Sequence, residues 1–328
     1  MRFAIIGTGG VGGFFGGKLA KAGEDVWFVA RGEHLETMKA RGLRIHSTEG
    51  GFSIAPGSMT DDLNKIGRVE VVLFCVKSYD TESAAQQLTP LLSDNTIIIS
   101  LQNGIDNEEK IQRHVKTGTV FGGLANIYST ITAPGVVTET GGPKKIIFGP
   151  LTPSSPGDER GKRILGVMLN TGINASYSDD IRSDMWKKFI FISAVGGITA
   201  LTRLTLGDIL AADETRSLLR DAMTETSTVA FARGAKVEPQ FINTLFEMIK
   251  TFDKNSRSSL YHDLAHGKPL EIGALSGTVV RHGVELGIPT PIHRTIYASL
   301  LPYHLKHIAL RTSSPAPPVK QHQTERTR

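Results

Sequence analysis

The chain opens at residues 1–23 with MRFAIIGTGGVGGFFGGKLAKAG, a stretch in which eight residues are glycine. The apolar residues 3–6 predict a buried strand, and the pattern of residues 11–22 predicts a helix with one apolar face. Glycine weakens strands and helices alike, so this density indicates a special backbone geometry. The strand-to-helix junction holds a G-x-G-x-x-G motif, Gly7-Thr8-Gly9-Gly10-Val11-Gly12.

The three fixed glycines of the G-x-G-x-x-G motif each have a role if the junction binds a dinucleotide. Gly7 would allow the tight turn, Gly9 would let the backbone approach a pyrophosphate, and Gly12 would let the helix pack on the strand. The positive end of the helix dipole then faces the anion. A merely structural glycine-rich turn is the alternative, but the strand-to-helix context is the one that a dinucleotide site requires. We therefore predict cofactor contacts from Gly7, Thr8, Gly9, Gly10, Val11 and Gly12.

Length and charge limit the classes of protein to which this chain can belong. Its 328 residues suit two domains of ordinary size. The net charge is +5, but the last 18 residues carry four Lys or Arg and one Glu, which leaves only +2 for the body. The body has no basic stripe with interleaved aromatic residues, so we predict no nucleic-acid partner.

The lack of a targeting or membrane-spanning segment and the low cysteine content together predict a cytoplasmic protein. The longest apolar run, FIFISAVGGITAL at residues 189–201, has 13 residues, fewer than the roughly 20 that span a bilayer. The first strand begins near residue 2, which leaves no room for a signal peptide. The single cysteine, Cys75, lies in an apolar run and is expected to be a buried hydrophobe in a reducing compartment. No metal site is predicted.

Strand and helix patterns alternate through the first half of the chain and then stop. Buried strands separated by helices indicate a parallel sheet with right-handed crossovers. Residues 43–54 and 119–149 are strand-like and rich in Gly and Thr, and we expect them to add antiparallel strands at the sheet edge. Prolines and glycines mark the ends of the helical patterns that follow. These predicted helices cover residues 180–201, 213–234, 239–255, 257–266, 269–286 and 291–309.

The patterns together predict an α/β fold in which a Rossmann-type dinucleotide-binding domain precedes an all-α domain. The first domain is predicted to span residues 1–178 and the second residues 179–311. Residues 312–328 are rich in Pro, Ser and polar residues and are expected to form a disordered tail. Because ligands of open α/β sheets bind beyond the carboxyl ends of the strands, we expect the active site in a cleft between the two domains.

The residue after the second strand decides between the two nicotinamide dinucleotides. An NAD-binding domain usually has an acidic residue there, which bonds the ribose 2′-hydroxyl. Here the strand at residues 25–30 is followed by Arg31, whose guanidinium suits a 2′-phosphate. Glu33 lies where the next helix begins, and its charge suits that helix dipole. An exposed loop charge is the alternative for Arg31, but the absence of an acidic residue at the strand end favours NADP(H).

Two other strand ends carry polar residues that are expected to face the nicotinamide. Lys77 follows the strand at residues 69–76 in FCVKSYD, and Asn103 follows the strand at residues 96–101 in SLQNGID. The alternatives are a solvated loop lysine and an Asn-Gly turn that leads into a helix. Both residues are candidate cofactor contacts.

A lysine in the second half interrupts a buried helix face. Lys188 lies on the same predicted helix face as apolar residues three and four positions away, whereas Lys187 lies on another face. A lysine in partly apolar surroundings has a lowered pKa and can donate a proton near neutral pH. The alternative is that the long stem of Lys188 carries its ammonium to the surface. The face is formed by Ile181, Met185, Lys188 and Ile192.

Glu271 is the second out-of-place residue in the helical region. If Pro269 opens a helix, Glu271 lies in its first turn, where the helix dipole alone favours a carboxylate. The functional alternative makes Glu271 an acceptor that orients a bound hydroxyl or the catalytic lysine.

The order and spacing of these motifs resemble those of the ketopantoate reductases (2-dehydropantoate 2-reductases). The resemblance covers roughly residues 1–309 and rests on IIGTGGVGG, VARGEHL, VKSYD, SLQNGID, MWKKF followed by GGITALTRL, and SSLYHDLAHGKPLEI. It implies NADPH-dependent reduction of a 2-keto acid to a 2-hydroxy acid, foremost 2-dehydropantoate to pantoate in pantothenate biosynthesis. A small 2-keto acid would be the partner molecule, and a homodimer is a possible assembly.

The resemblance also implies roles for individual residues. The glycine turn and Arg31 would bind the cofactor, and Asn103 would contact both cofactor and substrate. Lys188 would be the acid, because it matches the lysine of the family's tryptophan-containing motif. Ser259 and Glu271 would complete the substrate site.

One departure from the family concerns the substrate. Well-studied members carry asparagines that bond the substrate where this chain has Ile192, Gly196 and Leu206. An apolar residue cannot replace such an amide, and the lost hydrogen bond costs about 1–3 kcal/mol. The reaction class is retained, while another branched 2-keto acid becomes an alternative substrate. A non-catalytic NADP(H)-binding regulator is the alternative of a different class, and the presence of both Lys188 and Glu271 argues against it.

Overall fold

The computed structural model describes residues 1–152 and 159–313. The predicted architecture is confirmed: a largely parallel sheet with flanking helices comes first, and among the described residues only helices follow it. The last strand ends at Tyr177, and the first helix beyond the sheet begins at Ile181. Of the predicted tail, residues 312 and 313 still belong to the final helix, whereas 314–328 lie outside the described residues.

The described residues of the first half form one ten-stranded sheet. Its strands are β1 Arg2–Ile6, β2 Asp25–Val29, β3 Leu43–His46, β4 Phe52–Ile54, β5 Met59–Thr60, β6 Val71–Phe74, β7 Ile97–Ser100, β8 Thr119–Ala133, β9 Val136–Pro150 and β10 Asn174–Tyr177. The strand order is β4-β3-β9-β8-β7-β6-β1-β2-β5, with β10 paired to β9.

The strands at the centre of the sheet bring their carboxyl ends to one edge. β8, β7, β6, β1 and β2 pair with one another in parallel, in that order. Along β1, Phe3 and Ile5 pack into one apolar layer, and Ala4 and Ile6 pack into the layer on the other face. Because both faces are covered, these strands are continuously apolar, as parallel strands usually are.

The prediction that residues 119–149 lie at the sheet edge is wrong. β8 and β9 form an antiparallel hairpin, but β8 pairs in parallel with β7, and β9 pairs in parallel with β3 and β10. The hairpin therefore lies inside the sheet. Consistent with this interior position, its residues Phe121, Val137 and Phe148 are fully buried. Only β3 and β4 meet the expectation of an antiparallel pair at the edge.

The helices of the described residues flank the sheet and then form the second half. They are α1 Gly10–Lys21, α2 Gly32–Arg41, α3 Thr81–Ala85, α4 Asn107–His114, α5 Glu159–Asn170, α6 Ile181–Thr202, α7 Leu206–Ala211, α8 Asp213–Ala232, α9 Phe241–Lys250, α10 Ser259–Ala265, α11 Ser276–Leu286 and α12 Pro291–Ser313. Short 3-10 helices occur at Leu63–Lys65, Ser78–Asp80, Thr89–Leu91 and Glu271–Gly273.

Two helix predictions need correction. The helix expected at 269–286 begins only at Ser276, because Glu271–Gly273 forms a separate 3-10 turn and Leu275, whose φ and ψ are −100° and −103°, interrupts the chain before α11. The additional short helix α7 was not predicted. It begins with a capping box, in which the Thr205 hydroxyl accepts from the Asp208 N–H while the Asp208 carboxylate accepts from the Thr205 N–H.

The two halves share packing at the carboxyl edge of the sheet. α6 packs on β8, and Ile105, in the loop after β7, contacts apolar clusters of both halves. Cys75 follows β6 and packs partly buried against the sheet core, where burial raises the pKa of its thiol. Within residues 1–152 and 159–313, no helix has the length and apolar character needed to cross a membrane.

Candidate active site

The turn between β1 and α1 has the geometry that the glycine motif predicts. Gly7 has φ +97°, and a Cβ there would lie 2.8 Å from the Val76 backbone nitrogen, so only glycine fits. The N–H groups of Gly7 and Thr8 both donate to the Val29 carbonyl oxygen, at 3.2 and 2.9 Å. The Thr8 hydroxyl, which is buried, donates to the same oxygen at 3.0 Å. The turn is thus tied to the end of β2.

The remaining motif residues differ in how much space surrounds them. A Cβ on Gly10 would lie 2.1 Å from the Ser129 carbonyl oxygen of β8, and one on Gly12 would lie 2.3 Å from the Gly7 carbonyl oxygen. A Cβ on Gly9 would meet no atom within 4 Å. Val11 is half-buried, and the first turn of α1 carries no acidic side chain. The open backbone at Gly9 and the unopposed helix dipole fit a pyrophosphate.

Arg31 lies where a 2′-phosphate is expected, at the N-cap of α2 after β2. Its side chain is 69% exposed, and its guanidinium donates to the Asp80 carboxylate at 2.5 Å. Arg31 is therefore an ion-paired group instead of a free loop charge. Sequence reasoning gave Asp80 no role although it ends the VKSYD motif, because its partner Arg31 is 49 residues away in sequence.

A buried polar network holds the loops that follow β6 and β7 together. The Gln102 amide donates to the Val76 carbonyl at 2.9 Å and to the Thr81 hydroxyl at 2.8 Å. The Thr81 hydroxyl lies 3.2 Å from the Asn107 side-chain oxygen, and the Asn107 amide donates to the Asn103 carbonyl at 2.9 Å. Because these partners are buried and hydrogen-bonded to one another, the network fixes the loop that carries Asn103.

Lys188 points from α6 toward this loop. Its Nζ donates to the Asn103 side-chain oxygen at 3.0 Å and to the Ala125 carbonyl oxygen of β8 at 2.8 Å. Burial lowers the pKa of Lys188 to about 8, with the Glu271 carboxylate acting in the opposite direction. The neighbouring Lys187 forms an ion pair with Glu238 at 2.8 Å near the surface. The ammonium of Lys188 therefore lies inside the protein, beside the carboxyl edge of the sheet.

Glu271 and Lys77 link the two halves from the other side. The Glu271 Oε1 accepts from the Ser78 N–H at 3.0 Å, and its Oε2 accepts from the Lys77 Nζ at 3.2 Å. Lys77 also contacts the Asp263 carboxylate of α10 at 2.8 Å. Among the described residues Glu271 makes no hydrogen bond to Lys188, so its influence on that lysine is through charge alone.

The carboxylates and the lysine hold each other charged. Burial alone would lower the pKa of Lys77, but Glu271 and Asp263 outweigh burial and raise that pKa above its ordinary value. Burial alone would raise the pKa of Glu271, but Lys77 and the Ser78 N–H outweigh burial and lower it. Glu271 is thus an anion, with an exposed fraction of only 7%.

In the described part of the chain, no hydrogen bond of Ser259 links its side chain to the residues that the structure brings together at the junction. It is the first residue of α10 and is exposed, and its hydroxyl has no hydrogen-bond partner among the described residues. Its neighbour Ser258 caps the helix and accepts from the Thr199 hydroxyl at 2.7 Å. The structure groups four predicted site residues at the junction of the halves: Lys77, Asn103, Lys188 and Glu271.

The residues at the positions of the family's asparagines form apolar surroundings. Ile192 follows Lys188 by one turn of α6 and packs partly buried against the core of the helical half. A Cβ on Gly196 would lie 3.7 Å from Leu275 and 3.9 Å from Leu260, so the space there is lined by leucines. Leu206 is 3% exposed at the start of α7.

Sequence reasoning missed several partners of these residues. The Ala125 carbonyl is a backbone group and leaves no trace in residue identity. Asp263 lies within the SSLYHDLAHGKPLEI motif but received no role there, because its partner Lys77 is 186 residues away in sequence. The i, i+4 spacing of Ser259 and Asp263, which places both on one helix face, is the one sequence signal for it.

Two family models match the chain over most of its length. The model described as ketopantoate reductase PanE/ApbA matches residues 3–153, and that described as ketopantoate reductase PanE/ApbA C terminal matches residues 180–304. The chain belongs to the ketopantoate reductase family. It is accordingly an NADP-dependent oxidoreductase of the 2-dehydropantoate 2-reductase type, as the motifs predicted.

Individual relatives agree with this assignment. The oxidoreductase YkpB of Bacillus subtilis is 30% identical over 92% of this chain and 99% of its own length. The 2-dehydropantoate 2-reductase of Mesorhizobium japonicum is 30% identical over 89% of this chain and 94% of its own. Among solved structures, a PanE/ApbA family ketopantoate reductase from Ralstonia eutropha has a TM-score of 0.84 at 31% identity, covering 94% of this chain and 100% of its own.

A D-mandelate dehydrogenase solved with NADH and anilino(oxo)acetate has the same fold. Its TM-score is 0.84 at 21% identity, and it covers 95% of this chain and 99% of its own. At this identity the similarity shows the fold alone. The ketopantoate reductase fold is therefore shared with an enzyme whose name indicates a different 2-hydroxy acid.

Proposed function

We propose that this protein reduces a 2-keto acid to a 2-hydroxy acid with NADPH, and that 2-dehydropantoate is its foremost substrate. The observation that carries the proposal is the half-buried Lys188 ammonium, which points into the cleft. It is hydrogen-bonded beside Asn103 at the carboxyl edge of the sheet and has a pKa of about 8. A group of that pKa is a proton donor near neutral pH. Family membership supports the same reaction class.

The residues around the cleft would hold NADPH and supply the proton. The glycine turn would accept the pyrophosphate at Gly9, Arg31 would bind the 2′-phosphate, and Lys77 and Asn103 would lie at the nicotinamide end. When bound, NADPH supplies the hydride that the carbonyl carbon of the substrate accepts. The chain's own residues provide the rest of the chemistry.

Lys188 would donate the proton that the carbonyl oxygen needs. Two of its three ammonium hydrogens are directed to the Asn103 and Ala125 oxygens, which leaves one for a substrate oxygen. The two fixed bonds hold Nζ in place, so orientation is set before the substrate arrives. After transfer, the neutral amine regains a proton from solvent. Glu271 would accept a hydrogen bond from the developing hydroxyl, and Ser259 would line the outer part of the substrate site.

Two substrates that differ in their side chains are candidates. The apolar residues Ile192 and Gly196, with Leu260 and Leu275 beside Gly196, favour another branched 2-keto acid as the second candidate. Several relatives at 26–30% identity are named 2-dehydropantoate 2-reductases, which supports the first candidate. The deciding experiment measures NADPH oxidation with ketopantoate and a panel of branched 2-oxo acids at equal concentration.

The panel also tests the non-catalytic alternative. A regulator would bind NADPH tightly and turn over none of the acids, whereas an enzyme turns over at least one of them. Binding of NADPH is measured separately by calorimetry. Tight binding together with no turnover across the panel would contradict the proposed function.

The pH dependence of turnover is expected to follow Lys188. The proton-donating form is the ammonium, which is populated below its pKa of about 8. We therefore expect kcat for reduction to be constant up to about pH 7 and to fall about tenfold per pH unit well above pH 8. The measurement is kcat from pH 6 to 10 at saturating NADPH and substrate. A flat profile to pH 10 would exclude Lys188 as the donor.

A homodimer is the proposed assembly. A ketopantoate reductase from Staphylococcus aureus, 22% identical with a TM-score of 0.77, is described as dimeric. The mass of the full chain in solution, measured by light scattering across a concentration series, tests this expectation. A single species at the monomer mass throughout would contradict it.

A further inference from the structure

Three charged side chains from distant parts of the chain meet near the end of β2. The Arg31 guanidinium donates to Asp80 Oδ2 at 2.5 Å. The Arg311 guanidinium donates to the same carboxylate, to Oδ1 at 3.1 Å and to Oδ2 at 2.9 Å. Arg31 caps α2, Asp80 ends the 3-10 helix after β6, and Arg311 lies in the last turn of α12. Two guanidinium groups therefore share one carboxylate.

This arrangement has an excess of positive charge. Two arginines against one aspartate leave a net charge of +1. Each guanidinium has five N–H donors, and only one nitrogen of each group, Nη2, contacts the Asp80 carboxylate. The side chain of Arg31 is 69% exposed and that of Arg311 is 31% exposed. Donors of both groups can therefore reach a ligand from solvent.

Arg311 is held in place instead of extending freely. Its guanidinium lies over the ring of Tyr79, 5.3 Å from the ring centroid, in addition to its contact with both Asp80 oxygens. Stacking of this kind restricts the rotamers of an arginine. Because α12 begins in the helical half at Pro291, it carries a fixed cation from that half to the adenosine end of the proposed cofactor site.

We propose that Arg311 is a second guanidinium for the 2′-phosphate of NADP(H), beside Arg31. The proposal depends on the proposed role of Arg31. A phosphate monoester carries about −1.5 to −2 charges at neutral pH, and arginine forks match its oxygens. Arg31 paired to Asp80 leaves no net charge, whereas Arg31 and Arg311 together leave +1, which offsets much of the phosphate charge. The helical half thereby contributes to the discrimination between NADPH and NADH. The competing explanation is that Arg311 only fastens α12 to the sheet half.

The test compares binding of NADP⁺ and NAD⁺ by isothermal titration calorimetry. Arg311→Ala is expected to weaken NADP⁺ binding about tenfold and to change NAD⁺ binding less than about twofold. Arg311→Lys, which keeps the charge but loses the fork, is expected to weaken NADP⁺ binding about threefold. Arg294→Ala is the matched control, since Arg294 is an exposed arginine at the other end of the same helix. It is expected to change neither affinity.

Comparing Arg31→Ala with Arg311→Ala distinguishes a failure of the Arg311 proposal from a failure of the proposed role of Arg31. If Arg31→Ala lowers the preference for NADP⁺ and Arg311→Ala does not, the role of Arg311 is overturned and that of Arg31 is retained. If neither variant changes the preference, both roles fail. Equal weakening of NADP⁺ and NAD⁺ by Arg311→Ala would show that Arg311 only fastens the helix. Melting temperatures and the retained NAD⁺ affinity show that the variants are folded.

Discussion

Lys188→Ala is expected to lower kcat for keto-acid reduction by about 10²–10⁴-fold, the usual contribution of a positioned general acid. The affinity for NADPH is expected to change less than about threefold, because the glycine turn and Arg31 are untouched. The physical reason is that the substrate oxygen loses its proton donor, while the residues proposed to bind the cofactor remain in place. Steady-state kinetics on the acid that the panel identifies give kcat, and calorimetry gives the affinity for NADPH.

Two further variants give this prediction its controls. Lys187→Ala removes the adjacent lysine, which is ion-paired with Glu238 near the surface, and it should leave kcat nearly unchanged. Lys188→Arg keeps a positive charge but cannot release a proton near neutral pH, so it should be nearly as slow as Lys188→Ala. Near-normal turnover in Lys188→Ala would remove the lysine from the mechanism, whatever the affinity for NADPH.

Gly12→Ala is expected to lower the stability of the fold, whereas Gly9→Ala is expected to lower the affinity for NADPH. A Cβ on Gly12 would lie 2.3 Å from the Gly7 carbonyl oxygen, a backbone atom that cannot easily move. Overpacking of this kind costs about 3 kcal/mol, which corresponds to a fall of roughly 6–12 °C in melting temperature for a domain of this size. A Cβ on Gly9 meets no atom within 4 Å, so the melting temperature should not change.

The Gly9 variant separates folding from cofactor binding. Its added methyl group would occupy the space through which the pyrophosphate approaches the backbone, so we expect NADPH affinity to fall more than about tenfold. Calorimetric titration with NADPH and a thermal melt on the same preparation measure both quantities. A Gly9→Ala protein that binds NADPH normally would contradict the proposed position of the pyrophosphate.

Much of the fold could be predicted because its signals are local. The strand, glycine turn and helix of the first 23 residues are neighbours in sequence. The glycines of the turn indicate a special backbone conformation or a close approach at their own positions. The end of the sheet and the start of the helical half were also readable, because the residue pattern changes period there. The same locality explains the Lys188 prediction, since a helical wheel needs only the four residues that share a face.

The errors arose where the decisive contact is distant in sequence. The β8–β9 hairpin has an ordinary antiparallel pattern, and only its pairing with β7 and β3 places it inside the sheet. Pro269 is a good first residue for a helix, but the chain there forms a 3-10 turn that directs Glu271 to Lys77 and Ser78. Local preference was overridden by a tertiary contact.

Residue patterns within short segments were enough to predict the class of fold, the tight glycine turn after β1 and the residue types available for the chemistry, because backbone geometry and side-chain periodicity are local properties. Which of those residues come into contact could be read only from the folded chain. The Ala125 carbonyl that holds Lys188, the Asp263 carboxylate on Lys77, and the pairing of Arg31 and Arg311 through Asp80 all join segments more than 45 residues apart. Such contacts depend on the tertiary packing of distant segments, and the identity of one residue of a pair does not indicate which residue contacts it.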